Sequence, residues 1–288
     1  MFPNPIQIIK GTSLQISLYG VCIAVGILAC MAVLFFYTRK KGMPSEIQDF
    51  VFLIGVIAIA FGFLAAKIFQ AFYEFIETGV WNFYEAGITA MGGFIGGAAA
   101  FIGLYFLIGY FVFKGKKQGL HIKHFNTILR VAPICITIAH AFGRIGCLFA
   151  GCCHGKYLGQ EPVFGGIKML GTIGESNVLG YYVPTQLYEA LFLFALFGLL
   201  TYLYFNKCNI VLSIYLIAYG VWRMFIEFFR GDAARVENLA LNMTPSQWQS
   251  IIFILGGVLL IVLYAFVFKK PLFFKEEPFK EITKEKKA

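Results

Sequence analysis

Seven stretches of the chain, near residues 14–37, 48–72, 89–112, 128–150, 187–205, 210–229 and 247–268, are apolar over about the 20 residues that an α-helix needs to cross a hydrocarbon core roughly 30 Å thick. A chain carrying them has little choice of environment. Its 59% apolar and 14% charged residues depart from a soluble average of about 45–50% and about 25%. Intrinsic disorder and a nucleic-acid module are excluded on the same ground. The expected fold class is all-α: a polytopic membrane protein with seven transmembrane helices, without internal repeat or second domain.

The net charge of +9 is first a matter of topology. Arg39, Lys40 and Lys41 follow the first stretch, Lys114, Lys116, Lys117 and Lys123 the third, and Lys207 the fifth; the tail adds seven lysines from Lys269 to Lys287. Fifteen of the 24 cations therefore fall in four segments on one side, while Glu74, Glu77 and Glu85 surround the first opposite connection. The positive-inside rule puts the N-terminus outside and the C-terminus in the cytoplasm. Residues 1–270 then form one transmembrane domain, with 151–184 as a long, glycine-rich arm on the outer side, and 271–288 form a charged cytoplasmic tail. The N-terminus lacks a basic n-region, so the first stretch reads as a retained span. Seven cysteines without regular spacing make no disulfide framework and read mostly as small apolar packers.

Function is sought among polar groups that membrane burial penalises, because an ionisable side chain inside a span usually faces a cavity or a partner. Gly143-Arg144-Ile145-Gly146 closes the fourth stretch, and a planar guanidinium between glycines suits a phosphate bidentately. The alternative is an Arg reaching to the interface. Arg223, Glu227 and Arg230, spaced i,i+4 and i,i+3 at the end of the sixth stretch, share a helical face, either as a self-neutralised triad or as an anion site with surplus positive charge. Glu189 in Pro184-Thr185-Gln186-Leu187-Tyr188-Glu189 opens the fifth stretch and is placed to pair with an arginine of another span or to cap its own helix. Gly92-Gly93 and Gly96-Gly97 open the third stretch, where paired glycines let helices, or a lipid or peptide, come close. Lys67 and Arg130 are the remaining intramembrane cations, and Arg130 reads as extending to the cytoplasmic surface. Cys152, Cys153 and His154 invite a metal reading, but three adjacent side chains do not readily converge on one ion and no second ligand cluster follows, so no metal is expected. On the topology above, Arg144, Glu189, Arg223, Glu227 and Arg230 all fall toward the outer leaflet from three spans, which implies an anionic amphiphile.

In that order the residues resemble the bacterial prolipoprotein diacylglyceryl transferase family along nearly the whole chain. The marks are Leu18-Tyr19-Gly20, Gly92-Gly93-Phe94-Ile95-Gly96, Gly143-Arg144-Ile145-Gly146, Pro184 to Glu189, and Tyr219-Gly220 followed by Arg223, Glu227, Phe228, Phe229 and Arg230. The resemblance implies transfer of a diacylglyceryl group from phosphatidylglycerol to the lipobox cysteine of prolipoprotein signal peptides, with release of glycerol phosphate. It further implies the bacterial inner membrane as location, membrane lipids as surroundings, and no cofactor or nucleic-acid partner. Arg144 would bind the head group, Arg223 supported by Glu227 would act at the reacting centre, and Tyr19 would lend a hydrogen bond. Gly92, Gly93, Gly143, Gly155, Gln186, Tyr188, Glu189 and Arg230 would complete the binding site. Where familiar members carry His before the Gly-Gly pair, this chain has Met91, which accepts no proton; where they follow Gly-Arg-Ile-Gly with Asn, it has Cys147. His140 is the expected substitute proton acceptor, with His154 as a second choice. The rival readings are a relative with another lipid donor or thiol acceptor, a thiol-redox membrane enzyme using Cys147, Cys152 or Cys153, and an anion transporter, for which the inverted repeats or broken helices are not seen.

Overall fold

The computed structural model describes residues 6–7, 15–173, 176–231, 243–267 and 269. Seven α-helices are present among them: α1 (Leu18–Lys40), α2 (Ser45–Thr78), α3 (Ala90–Val112), α4 (Leu120–Ala150), α5 (Thr185–Phe205), α6 (Val211–Glu227) and α7 (Pro245–Val262), the last continuing into a π turn at Leu263–Val267. Six of the seven are long and apolar enough to cross a membrane. The exception is α6, with 17 residues. The protein is thus a polytopic, mostly helical membrane protein.

The chain divides into two compact units, Leu34–Ile128 and the remainder, and α1 and α4 contribute residues to both. In the first unit α2 and α3 pack through small residues. A Cβ on Gly62 would lie 3.2 Å from the Gly93 carbonyl oxygen, one on Gly97 would lie 3.5 Å from that of Ala58, and one on Gly96 would coincide with the Ala65 methyl. Without a hydrophobic gain between apolar helices in lipid, such backbone contact supplies the dispersion that holds them. Gly92 joins the same seam against Phe69, so the visible role of the Gly92-Gly93 pair is helix packing. Behind it lies an apolar core of Met43, Ile47, Phe50, Val51, Ile54, Tyr105, Phe113 and Ile128.

The helix α4 begins eight residues before the apolar stretch that announced it. Its first turns, with His121, Lys123, His124 and Asn126, are too polar for a hydropathy window, but His121 stacks on Phe113 with ring centroids 5.7 Å apart and its carbonyl accepts from Tyr105 Oη at 2.6 Å.

The second unit corrects the all-α expectation. Within 151–184 lie β3 (Tyr157–Gly159), β4 (Ile167–Ile173) and β5 (Ser176–Tyr182), an antiparallel sheet in the order β3-β5-β4; a short pair, β1 (Ile6–Gln7) and β2 (Gln15–Ile16), precedes α1. In β4, Met169 and Gly171 are buried while Lys168 and Leu170 are exposed, the period of two that a sheet covered on one face requires. Tyr182 is fully buried at the sheet's centre, and its ring occupies the space where a Gly171 Cβ would stand, 2.6 Å from Tyr182 Cζ. Burial raises its phenol above the ordinary range. The sheet is tied to the end of α6: Lys156 N–H donates to the Phe229 carbonyl at 3.0 Å and Gly155 N–H to the Val183 carbonyl at 2.8 Å.

Arg130 also differs from expectation. It is buried, with Nε donating to the Cys208 carbonyl at 2.9 Å and Nη2 to that of Tyr204 at 3.4 Å. Tyr204 is in the last turn of α5 and Cys208 just past its end, where a cation opposes the helix dipole. That is a stronger demand than reaching for water.

Candidate functional site

Glu189 is the centre of the site. It stands in the second turn of α5, 2% exposed, with guanidiniums arriving from two other helices. Arg144 Nε of α4 is 2.9 Å from Glu189 Oε2, an ion pair whose N–H is not aligned for a hydrogen bond. Arg223 Nη1 of α6 is 3.9 Å from the same oxygen. Tyr219 Oη donates to Glu189 Oε1 at 3.2 Å, and His140 Nε2 lies 3.8 Å from that oxygen.

A second carboxylate supports the arrangement. Glu227 is one helical turn beyond Arg223, with Arg223 Nη2 3.5 Å from Glu227 Oε2. The start of α7 closes this pair from outside: Thr244 Oγ1 donates to Glu227 Oε1 at 2.7 Å, and Arg223 Nη2 donates to Ser246 Oγ at 2.9 Å. Thr244 is fixed by a reciprocal capping box with Gln247, Pro245 occupying the first helical position. The sequence reading missed Thr244 and Ser246, although Thr244-Pro245-Ser246-Gln247 carries the signal of a helix start. The close approach of α6 and α7 that delivers them depends on glycine, since a Cβ on Gly220 would lie 2.9 Å from the Ser250 carbonyl oxygen.

Arg230 does not continue the α6 face. The helix ends at Glu227, and Phe228, Phe229 and Arg230 follow with i to i−3 backbone bonds, after which Arg230 pairs with Gly155 in an isolated bridge. Gly155 sits where three chain segments cross: a Cβ there would be 2.5 Å from the Phe229 carbonyl oxygen and 2.8 Å from Val183 Cβ. Asp232, next in the sequence motif, lies outside the described residues.

The other expected site residues frame the cluster. Gln186 Nε2 donates to the Cys152 carbonyl at 2.6 Å and Thr185 Oγ1 to that of Cys153 at 3.0 Å, so the start of α5 holds the chain leaving α4. Tyr188 Oη donates to the Gly165 carbonyl at 2.9 Å and so anchors the sheet connection. Gly146 lets α1 approach α4, since its Cβ would lie 3.1 Å from Tyr19 Cδ2; Gly143, by contrast, faces only Ile23 at 3.8 Å. Gly92, Gly93 and Met91 belong to the other unit, Met91 in the first turn of α3. Lys67, also there, donates to the Tyr84 carbonyl at 3.1 Å.

Cysteine brings a further difference from the sequence reading. His154 turns away to hydrogen-bond the Gly155 carbonyl at 2.9 Å and pack on Tyr182, while Cys147 joins Cys152 and Cys153, the three Sγ atoms all within 4.8 Å of one another. Cys147, five positions before Cys152 and still in α4, supplies the third sulfur that adjacent residues alone do not bring together. Hydrogen bonds from Cys147 and Cys152 hold the Cys153 thiol below the ordinary thiol range, while Cys152, bonded to the other two, is pushed up.

Among the described residues, Arg144 and Arg223 thus meet Glu189 and Glu227 in one group, with Arg230 near enough to act on Glu189 electrostatically. Among the described residues, Arg223 Nη1 and Arg144 Nε find no hydrogen-bond acceptor. An ionic cluster gathered inside a helical membrane protein marks the functional site of a membrane-embedded protein. The comparison with known families is more specific: the family model described as prolipoprotein diacylglyceryl transferase matches residues 6–263, and the chain belongs to that family. It is 31% identical to the phosphatidylglycerol–prolipoprotein diacylglyceryl transferase of Clostridium tetani, covering 85% of this chain and 92% of that one. It is also 31% identical to a second such protein of Clostridium perfringens over 86% and 90%, and 30% identical to that of Streptococcus pneumoniae over 95% and 98%.

Proposed function

We propose that this protein transfers the diacylglyceryl group of phosphatidylglycerol to the lipobox cysteine thiol of prolipoproteins and releases glycerol phosphate, the first step of lipoprotein maturation. The observation that carries the reading is the convergence of Arg144 and Arg223 from two helices on the buried Glu189, which sets two guanidiniums side by side as a phosphodiester requires. Charge develops on phosphate oxygen as the glyceryl C–O bond breaks, and fixed guanidiniums in a water-poor site stabilise it without reorganising. Arg144 holds the head group and Arg223 acts at the reacting centre. Glu227, Thr244 and Ser246 orient Arg223; Glu189 sets the spacing of the guanidiniums; His140, beside Glu189, is the proton acceptor. Tyr19, Gly143, Gln186, Tyr188 and Arg230 border the bound lipid or peptide, with Gly155 keeping the arm seated.

The location that follows is the bacterial inner membrane, with seven spans, the N-terminus outside and the tail in the cytoplasm. At 1.5 Å per residue α6 is about 25 Å long, short for a span. Its outer end, though, is Glu227, whose partners on α7 allow it to stop below the surface. The sheet of 151–184 is then an outer-side cover for the site. Expression in cells depleted of their own transferase tests the whole reading. Restored growth with a diacylglyceryl mass increment on a reporter lipoprotein is expected, whereas normal accumulation of the protein without that increment refutes it.

A further inference from the structure

The end of α4 presents three thiols for which the ionic cluster has no use. Gly151 takes a φ of 71°, its N–H bonds the Leu148 carbonyl at 3.3 Å, and the Cys152 N–H reaches back to the Cys147 carbonyl at 3.2 Å. This pairing of bonds is the Schellman closure, which sets the side chains at its two ends beside each other, usually as an apolar contact. Here those ends are Cys147 and Cys152. Cys153 has φ 60°, a conformation that costs free energy for a residue with a side chain, and it returns a third Sγ to the same place. Gln186 and Thr185 clamp the carbonyls of Cys152 and Cys153, so backbone bonds fix the loop and leave the thiols to each other.

Apolar packing does not account for this, because Cys152 is exposed. Thiolates on one zinc-sized ion stand about 3.8–4.0 Å apart at a metal–sulfur distance near 2.3 Å, within the 4.8 Å found, and all three cysteines are free. Soft sulfur donors select zinc or copper(I), and three protein ligands with one open side are the arrangement of a catalytic zinc rather than a structural one. Arg144 and Arg230 lie within electrostatic reach of the thiols and offset the negative charge that three thiolates leave on a divalent ion.

We propose that Cys147, Cys152 and Cys153 hold one zinc-class divalent ion whose open fourth position, on the exposed Cys152 side, takes the thiol of the acceptor cysteine; this rests on the transfer reading above. Metal coordination deprotonates a thiol outright, which supplies the nucleophile the reaction needs. The acceptor S–H loses its proton through water to His140, two helical turns from Cys147. The metal-bound thiolate attacks the glyceryl carbon, the S–C bond forms as the C–O bond to phosphate breaks, and glycerol phosphate leaves with that electron pair.

The test uses purified full-length protein in detergent, loaded with cobalt(II) as the probe. One cobalt per chain with thiolate-to-cobalt absorption is expected. A lipobox peptide should shift the visible bands, and its cysteine-to-serine counterpart should not. Cys152→Ser, at an exposed position, should keep the thermal transition and weaken cobalt retention by at least about tenfold, the lower end of what losing even an outer partner of a metal ligand costs. Cys153→Ser should do the same. Substoichiometric cobalt at every loading, equal retention in both variants, a disulfide among the three cysteines, or bands indifferent to the cysteine peptide would overturn the proposal. Full transfer by chelator-stripped, metal-free enzyme would also overturn it while leaving the transfer reading intact; a cobalt response to the peptide without any transfer would instead support the metal site and count against that reading.

Discussion

Between α2 and α3 the contact is made of backbone: Gly62 on Gly93, Gly97 on Ala58, Gly96 on Ala65. Around Glu189 it is made of charge, with arginines of α4 and α6, a tyrosine of α6 and the capped start of α7 meeting at two carboxylates. The first arrangement uses the smallest residues and has no polar group to satisfy. The second takes on the desolvation of four ionised groups, repaid only if each keeps its partners. A bundle that needed only stability would favour the first kind throughout, so the second marks where binding has shaped the sequence. Its stability should be brittle where the seam's is graded.

The largest effect is therefore expected from Glu189→Ala. It removes the partner shared by Arg144 and Arg223 and should cost about 3–5 kcal/mol, the range for breaking a buried ion pair. Loss of the folded protein, or a steep fall in its thermal transition in detergent, is the readout. Next comes Gly96→Leu in the seam, where a side chain must displace α2 at a cost of about 1–3 kcal/mol. A transition unchanged within error would show that α2 and α3 are not held by this contact.

How much of the contrast was legible in the sequence depends on what each feature costs. Arg144, Glu189 and Arg223 could be picked out because charge within an apolar stretch is conspicuous, and the structure does bring them together. The paired glycines were readable as packing for the same reason, a spacing of four on one helix. The sheet of 157–182 was not: its strands are interrupted by glycines, and their alternation has no meaning until the buried face is known. Thr244 and Ser246 escaped because they are individually ordinary, and only the fold puts a helix start against Glu227. Arg130 was misjudged because its partners are backbone carbonyls, which no side-chain pattern reveals. Cys147 was separated from Cys152 and Cys153 by a helix end whose geometry Gly151 decides.

Two smaller effects sharpen the comparison. Arg230→Lys keeps the charge at a turn outside the helix, so transfer should fall by no more than about the tenfold equivalent of 1.4 kcal/mol, less than for the arginines that touch Glu189. A larger loss in a transfer assay would mean that Arg230 grips the phosphate itself. In the seam helix, Gly103 has nothing among the described residues within 4 Å of the position of a Cβ. Gly103→Ala should leave the thermal transition unchanged or raise it slightly, by at most about 1 kcal/mol. Destabilisation would show that the glycines of α3 matter for something other than contact with α2.

The central claim, that buried guanidiniums hold the phosphate from which the diacylglyceryl group departs, is tested most directly by transfer from phosphatidylglycerol to a lipobox peptide. The measurement uses purified enzyme with lipid below saturation and reads the product by mass. Arg144→Lys and Arg223→Lys preserve the charge but lose the planar fork, and each should lower transfer by about 10²–10³, the range for removing one donor to a developing oxyanion, while the protein stays folded. Near-normal transfer by both variants would contradict the account, since the cluster would then be an anchor between helices and the reacting phosphate would have to lie elsewhere.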